Sequence, residues 1–180
     1  MRPTKLMITT YTNMLKAMSA WLSKGPNDDA ILSARLAPDM FPLSTQIRFS
    51  CLQAFEGLAY LREDPMPPQW YTLLEEGRNA SDAPGTLEEA QTRIVDTITM
   101  LTETEAGDVD DRSPHVIALK LPDGRIFDMT ADEYVRDWAV PQFYFHVMAA
   151  YSILRSQGVP LGKADYVQHA FAYLRRSHPD

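Results

Sequence analysis

Cysteine is almost missing from this chain: Cys51 is its single thiol in 180 residues. One thiol forms no internal disulfide, so nothing covalent staples the fold, and a reducing compartment suits it. A cytoplasmic, bacterial-type protein is the expectation. A surplus of positive charge is missing too. Lys and Arg number 17 against 24 Asp and Glu, a net charge of −7. A nucleic-acid binder ordinarily shows a basic face, so no nucleic-acid partner is expected. Long apolar runs are absent: no stretch approaches the ~18 residues of a membrane span, and no membrane association is expected. The opening residues MRPTKLMITTYTNM lack a continuous apolar stretch and a clean cleavage site, and read as mature sequence. There is no GxSxG elbow, no phosphate loop and no GxGxxG, which removes the commonest signatures of acyl transfer and nucleotide binding.

What is present is ordinary for a globular chain: 45% hydrophobic and 23% charged residues. A chain of this length buries roughly 70% of its unfolded surface without staples. Residues 4–24 carry Met7, Tyr11, Met14, Met18 and Trp21/Leu22 at three- and four-residue spacing, one helical stripe. Gly25-Pro26 ends it, and residues 27–33 read as a short connecting helix. A second helix starts near Pro42, with Leu43, Ile47, Cys51, Ala54/Phe55, Leu58 and Leu61 inward, and ends at Asp64-Pro65. Residues 64–85 hold four prolines and read as a long connection, with one helical turn at 69–74 over an end of the bundle. Its functional reading is a lid.

Thr86-Leu87-Glu88-Glu89 has the spacing of a capping box, opening a third helix to about Thr104 with Leu87, Ala90, Ile94, Ile98 and Leu101 inward. EAGDVDDRSP, residues 105–114, reads as a solvated linker; Asp108, Asp110 and Asp111 do not match a calcium loop. Residues 116–129 alternate around Pro122-Asp123-Gly124, a hairpin signal. Thr130 to Glu133 form a second capping box, stapled by Met129 and Tyr134. Pro141 is expected to kink or restart the helix that follows. The apolar segment 141–156 is expected to be the most buried helix, ended by Gly158, Pro160 and Gly162. A short terminal helix is expected over 164–176.

Several blocks carry a resemblance. They are ARLAPDMFPL (34–43), ADEY (131–134), FYFHV (143–147), AYSILR (150–155) and GVPLGK (158–163). Together they resemble a bacterial domain-of-unknown-function family in the DinB/YfiT-like superfamily of metalloenzymes, over residues 5 to about 167. The resemblance implies an all-α, up-down-down-up four-helix bundle with one long crossover. A small β-hairpin lies between its third and fourth helices. The bundle spans 1–167, and 168–180 is a C-terminal helical extension and tail. It also implies homodimers. Several superfamily members bind zinc or nickel through three histidines, one on helix two and two as His-x-x-x-His on helix four. Some are thiol-dependent transferases or isomerases.

On this chain the His-x-x-x-His positions fall on Gln142 and His146, and the helix-two position falls on Gln46. The three-histidine pattern is therefore broken at two of three places, and carboxamides are poor ligands for zinc or nickel. His115, His169 and His178 lie at no metal-ligand spacing to His146. No cofactor is expected; His146 is the one candidate ligand should zinc or nickel bind. One reading makes Gln46, Gln142 and His146 a vestigial polar pocket for a small molecule. The plainer reading is a buried histidine bonded to one of the glutamines, since buried polar groups need partners. Arg35 and Asp39, four apart, are either a charged pair at the pocket mouth or a cap and brace for helix two. Tyr144 offers a hydroxyl to a pocket or packs as a core aromatic, as do Tyr11 and Tyr151. Cys51 reads as a small hydrophobe. Arg155, Lys163, Arg175 and Arg176 suit helix ends. Three functions remain open: an uncharacterised DinB-like bundle with a polar pocket at His146, a metal- and thiol-dependent transferase or isomerase, and a structural homodimer.

Overall fold

The structure, a computed structural model, describes residues 3–104, 106–112, 116–121 and 123–175, with the backbone alone at 107, 108 and 112. The expectations on Asp108, His115, Pro122, Arg176 and His178 lie outside the described residues or side chains. Helix α1 spans Pro3–Lys24, and its stripe of Met7, Tyr11, Met14, Met18, Trp21 and Leu22 is buried as its spacing dictates. A 3-10 turn, Asp29–Ser33, is capped by the Asp28 carboxylate on the Ala30 N–H. Helix α2, Leu43–Arg62, starts directly after Pro42. It stops at Glu63, whose φ of 56° is left-handed and turns the next N–H, that of Asp64, back onto the Ala59 carbonyl at 3.0 Å. Pro65 then blocks any continuation.

α2 and not α7 is the most enclosed element. It buries 16 of its 20 residues, whereas α7, Val140–Ser156, buries five of 17. α7 is apolar nearly all round, yet Phe145 and Met148 face outward. The reason is position: α2 is packed by α1, α4 and α7, and by α3 as well. α3 spans Pro68–Asn79, a full helix where the prolines had suggested a single turn; Pro68 fills its first turn, where a missing N–H costs nothing.

α4, Leu87–Glu103, opens with the Thr86/Glu89 capping box, both reciprocal bonds present. The contacts fix helix directions. Late α1 meets early α4 through Ser19 and Gln91, so these run antiparallel. On α2 and α4, Arg48 reaches Arg93 through Glu76 and Cys51 bonds Thr97, so these run parallel. On α1 and α7, Tyr11 stacks on Phe143 and Trp21 meets Tyr151, also parallel. This is the up-down-down-up order. Two parallel neighbours demand a crossover, and the segment holding α3 supplies it.

A short helix α5, Ala106–Arg112, stands where a linker was expected. Strands β1 (Ile117–Lys120) and β2 (Ile126–Met129) pair antiparallel, closed by Gly124 at φ 88°. The capping box at Thr130 and Glu133 opens α6, Ala131–Glu133. The chain then continues through a π turn, Tyr134–Ala139, into α7 without a break. The Val140 N–H bonds the Val135 carbonyl, five residues back. Pro141 has no N–H to extend the ordinary ladder; the expected kink or restart takes the form of a widened π turn after which the α-helix restarts at Val140, with Pro141 in its first turn. α8, Lys163–Tyr166, and a 3-10 turn, Gln168–Tyr173, replace the single terminal helix. Trp21 and Asp165 tie α8 to α1: the indole N–H donates to the Asp165 carbonyl at 3.0 Å. Among the described residues no helix is long and apolar enough to cross a membrane.

Candidate functional site

α7 runs antiparallel to α2, which brings His146 level with Gln46. The Gln46 amide donates from Nε2 to the Phe41 carbonyl at 3.3 Å, so its Oε1 faces the imidazole as an acceptor. His146 Nδ1–H therefore donates to Gln46 Oε1 at 2.9 Å. This fixes the tautomer and leaves Nε2 as a lone pair. Phe49 and Phe145 flank the ring edge-on at 5.3 and 5.2 Å. Burial pushes the imidazole pKa down to about 4, so it is neutral at neutral pH.

The structure joins two of the three expected polar residues. Gln142 is half-buried and makes no side-chain hydrogen bond to a described residue. It sits about one turn, ~5.4 Å, from the level at which α2 offers Gln46. Tyr144 points elsewhere: it faces Tyr11 and Tyr166, and burial raises its hydroxyl pKa. Arg35 Nη1 donates to the Met40 carbonyl at 3.4 Å. Asp39 neither pairs with Arg35 nor caps α2; Pro42 is the N-cap, three residues further on, and no side chain caps the helix.

His146 opens onto a cleft of about 610 Å³ between α2, α3, β1 and the π turn. From α2 come Phe49, Gln53, Glu56 and Tyr60; from α3, Trp70, Tyr71 and Arg78; from the π turn, Trp138; from β1, Leu119 and Lys120. Trp70 Nε1 donates to Glu56 Oε2 at 3.0 Å. Glu56 Oε1 has no hydrogen-bond partner among the described residues. Burial raises the Glu56 pKa, and the indole bond only partly opposes this. The same carboxylate lifts the hydroxyl pKa values of Tyr11, Tyr60 and Tyr134, whose larger cause is their own burial. Two polar atoms beside this region are buried with no partner among the described residues: Tyr11 OH and Trp138 Nε1.

α3 is a pinned wall. Buried Arg48 donates to Glu76 Oε2 at 3.1 Å, Arg93 donates to both Glu76 oxygens, and Thr45 Oγ1 donates to the Gly77 carbonyl at 2.7 Å. Burial works to raise the Glu76 pKa, but the two guanidiniums outweigh it and hold the carboxyl below its ordinary range.

Glu56, Gln53 and Trp70 were not among the residues marked in the sequence. A signal existed: Gln46, Phe49, Gln53, Glu56 and Tyr60 recur at spacings of three and four, a second face of α2. It is obscured because the apolar stripe beside it is stronger. The donor set does not suit zinc or nickel. One imidazole nitrogen is committed to Gln46, the neighbours are carboxamides, and no group of three His, Cys, Asp or Glu able to hold a metal ion occurs among the described residues.

The family described as a domain of unknown function, DUF1993, matches residues 2–167. This chain belongs to the DUF1993 family. The match stops just before the terminal 3-10 turn. The DUF1993 chain is also similar to a DinB family member protein from Shewanella denitrificans, known from a crystal structure. The two share 29% identity with a TM-score of 0.71, over 91% of this chain and 90% of that one. No curated protein matches significantly. DUF1993 membership and this neighbour together place the bundle among DinB-like proteins.

Proposed function

We propose that this DUF1993 protein binds a small molecule in the cleft at His146 and works without a three-histidine metal centre. The observation that carries the reading is the pairing of His146 with Gln46. It turns a potential metal ligand into a fixed, neutral acceptor at the edge of a cleft within the ~300–1,000 Å³ range of ligand pockets. Aromatic walls with a few placed polar groups are the usual composition of such a site. The dimer expected from the resemblance belongs to the same reading. Phe145 and Met148 stand exposed on α7, and a second copy offers them cover.

The test is a thermal-shift screen of metabolites and low-molecular-weight thiols on wild type and His146→Ala, with metal analysis of protein purified without a histidine tag. Ligand shifts seen in wild type and lost in the variant are expected, with no stoichiometric metal. Stoichiometric zinc or nickel that disappears in His146→Ala would replace this reading with a metal-dependent transferase or isomerase. Absence of any ligand shift would leave a structural homodimer.

A further inference from the structure

We propose that the cleft selects an organic cation, a protonated amine carried on an apolar body. The inference rests on the cleft being a small-molecule pocket and names what that pocket takes. Of its polar atoms with no partner among the described residues, Glu56 Oε1 and His146 Nε2 are acceptors that ask the ligand for a donor, while the Trp138 indole N–H and the Gln53 amide can take an acceptor elsewhere on it. Glu56 also lacks a counter-charge among the described residues. Its one bond comes from the neutral Trp70 indole, and no ion pair to it occurs among the described residues. The buried cation on its own helix, Arg48, is spent on Glu76, as is Arg93. A carboxylate withdrawn from water without a cation is costly unless a ligand brings one.

The walls suit the same guest. Tyr60, Trp70, Tyr71 and Trp138 surround the carboxylate's cleft, and aromatic faces attract an ammonium group within ~6 Å. Trp70 and Tyr71 meet edge-to-face at 5.0 Å and 86°, so they present differently oriented surfaces. Arg78 and Lys120 also line the opening, but both are solvent-exposed. Water and salt screen them, whereas Glu56 acts from within. A neutral donor satisfies the imidazole but leaves the carboxylate unpaired; an anion meets a like charge at the floor.

The full-length protein is titrated with 2-phenylethylamine, 2-phenylethanol and 3-phenylpropionate, following tryptophan fluorescence near neutral pH. The amine is expected to bind at least about tenfold tighter than the alcohol, with the carboxylate weakest. Glu56→Gln keeps an acceptor for Trp70 and is expected to abolish that preference. Alcohol binding as tightly as amine overturns the cation and leaves the pocket standing. So does an amine affinity unchanged in a folded Glu56→Gln protein. If that variant does not fold, the amine-to-alcohol ratio on wild type decides alone. No binding of any of the three at millimolar concentration overturns both the cation and the pocket.

Discussion

Glu56 and Cys51 sit on one helix and show opposite uses of burial. Cys51 lies fully within the core, and burial raises its thiol pKa to about 12, against smaller opposing effects from Thr97, Arg48 and Arg93. The thiolate is the reactive form, so the native protein is expected to resist iodoacetamide and to label only as it unfolds; rapid labelling under native conditions would contradict this. Glu56 instead keeps an oxygen open to a cleft while losing most of its water. Its raised pKa marks a carboxylate that the fold disfavours. Glu56→Gln removes the charge and retains an acceptor for the Trp70 indole. It is expected to raise stability at pH 7 by on the order of 1 kcal/mol, as relief of an uncompensated desolvation. Chemical denaturation checks this, and a loss of stability would show that the carboxylate has a cation partner after all.

At the scale of elements, the cleft depends on how closely α3 lies on α2. Gly77 allows that approach: a Cβ there would meet Phe49 at 2.3 Å. Phe49 is itself edge-on to His146 at 5.3 Å. Gly77→Ala must push either α3 outward or Phe49 toward the imidazole, and overpacking of this kind costs about 1–3 kcal/mol. Gly57 is the useful contrast, since a Cβ there meets the flexible Met7 thioether at 2.9 Å. Gly57→Ala is expected to cost less, and reversed melting temperatures would refute the account. The same wall hangs on Glu76. Glu76→Ala strips the counter-charge from Arg48, which is 3% exposed, and breaking such a pair costs roughly 3–5 kcal/mol. A loss under 1 kcal/mol by denaturant titration would show that Arg48 finds another partner.

At the scale of the whole molecule, the sequence disclosed the bundle more readily than the cleft. The stripes of α1 and α2, the two capping boxes and the hairpin are local patterns, and each is legible from spacing alone. The cleft depends on two long-range facts with no local sign, α3 packing through Gly77 and Gln46 facing a residue 100 positions away, and on the π turn that presents Trp138. Pro141 announced a disturbance, but not that it would be absorbed as a widened turn. His146 connects the site to global stability. Its folded pKa of about 4 lies below the ordinary 6.5, so between those values the unfolded chain binds more protons than the native one. Stability is then present above pH 6.5 and lost as pH falls toward 4, by up to roughly 3 kcal/mol from this group. Glu56, with a raised pKa, works in the opposite sense on acidification, so the wild-type curve alone does not isolate the imidazole. His146→Gln does: it retains an amide donor for Gln46 and does not titrate. The stability difference between wild type and His146→Gln should therefore narrow or reverse as pH falls from 7 to 4.5. A difference independent of pH would mean that the ring is hydrated and ionises as freely in the native state as in the unfolded chain.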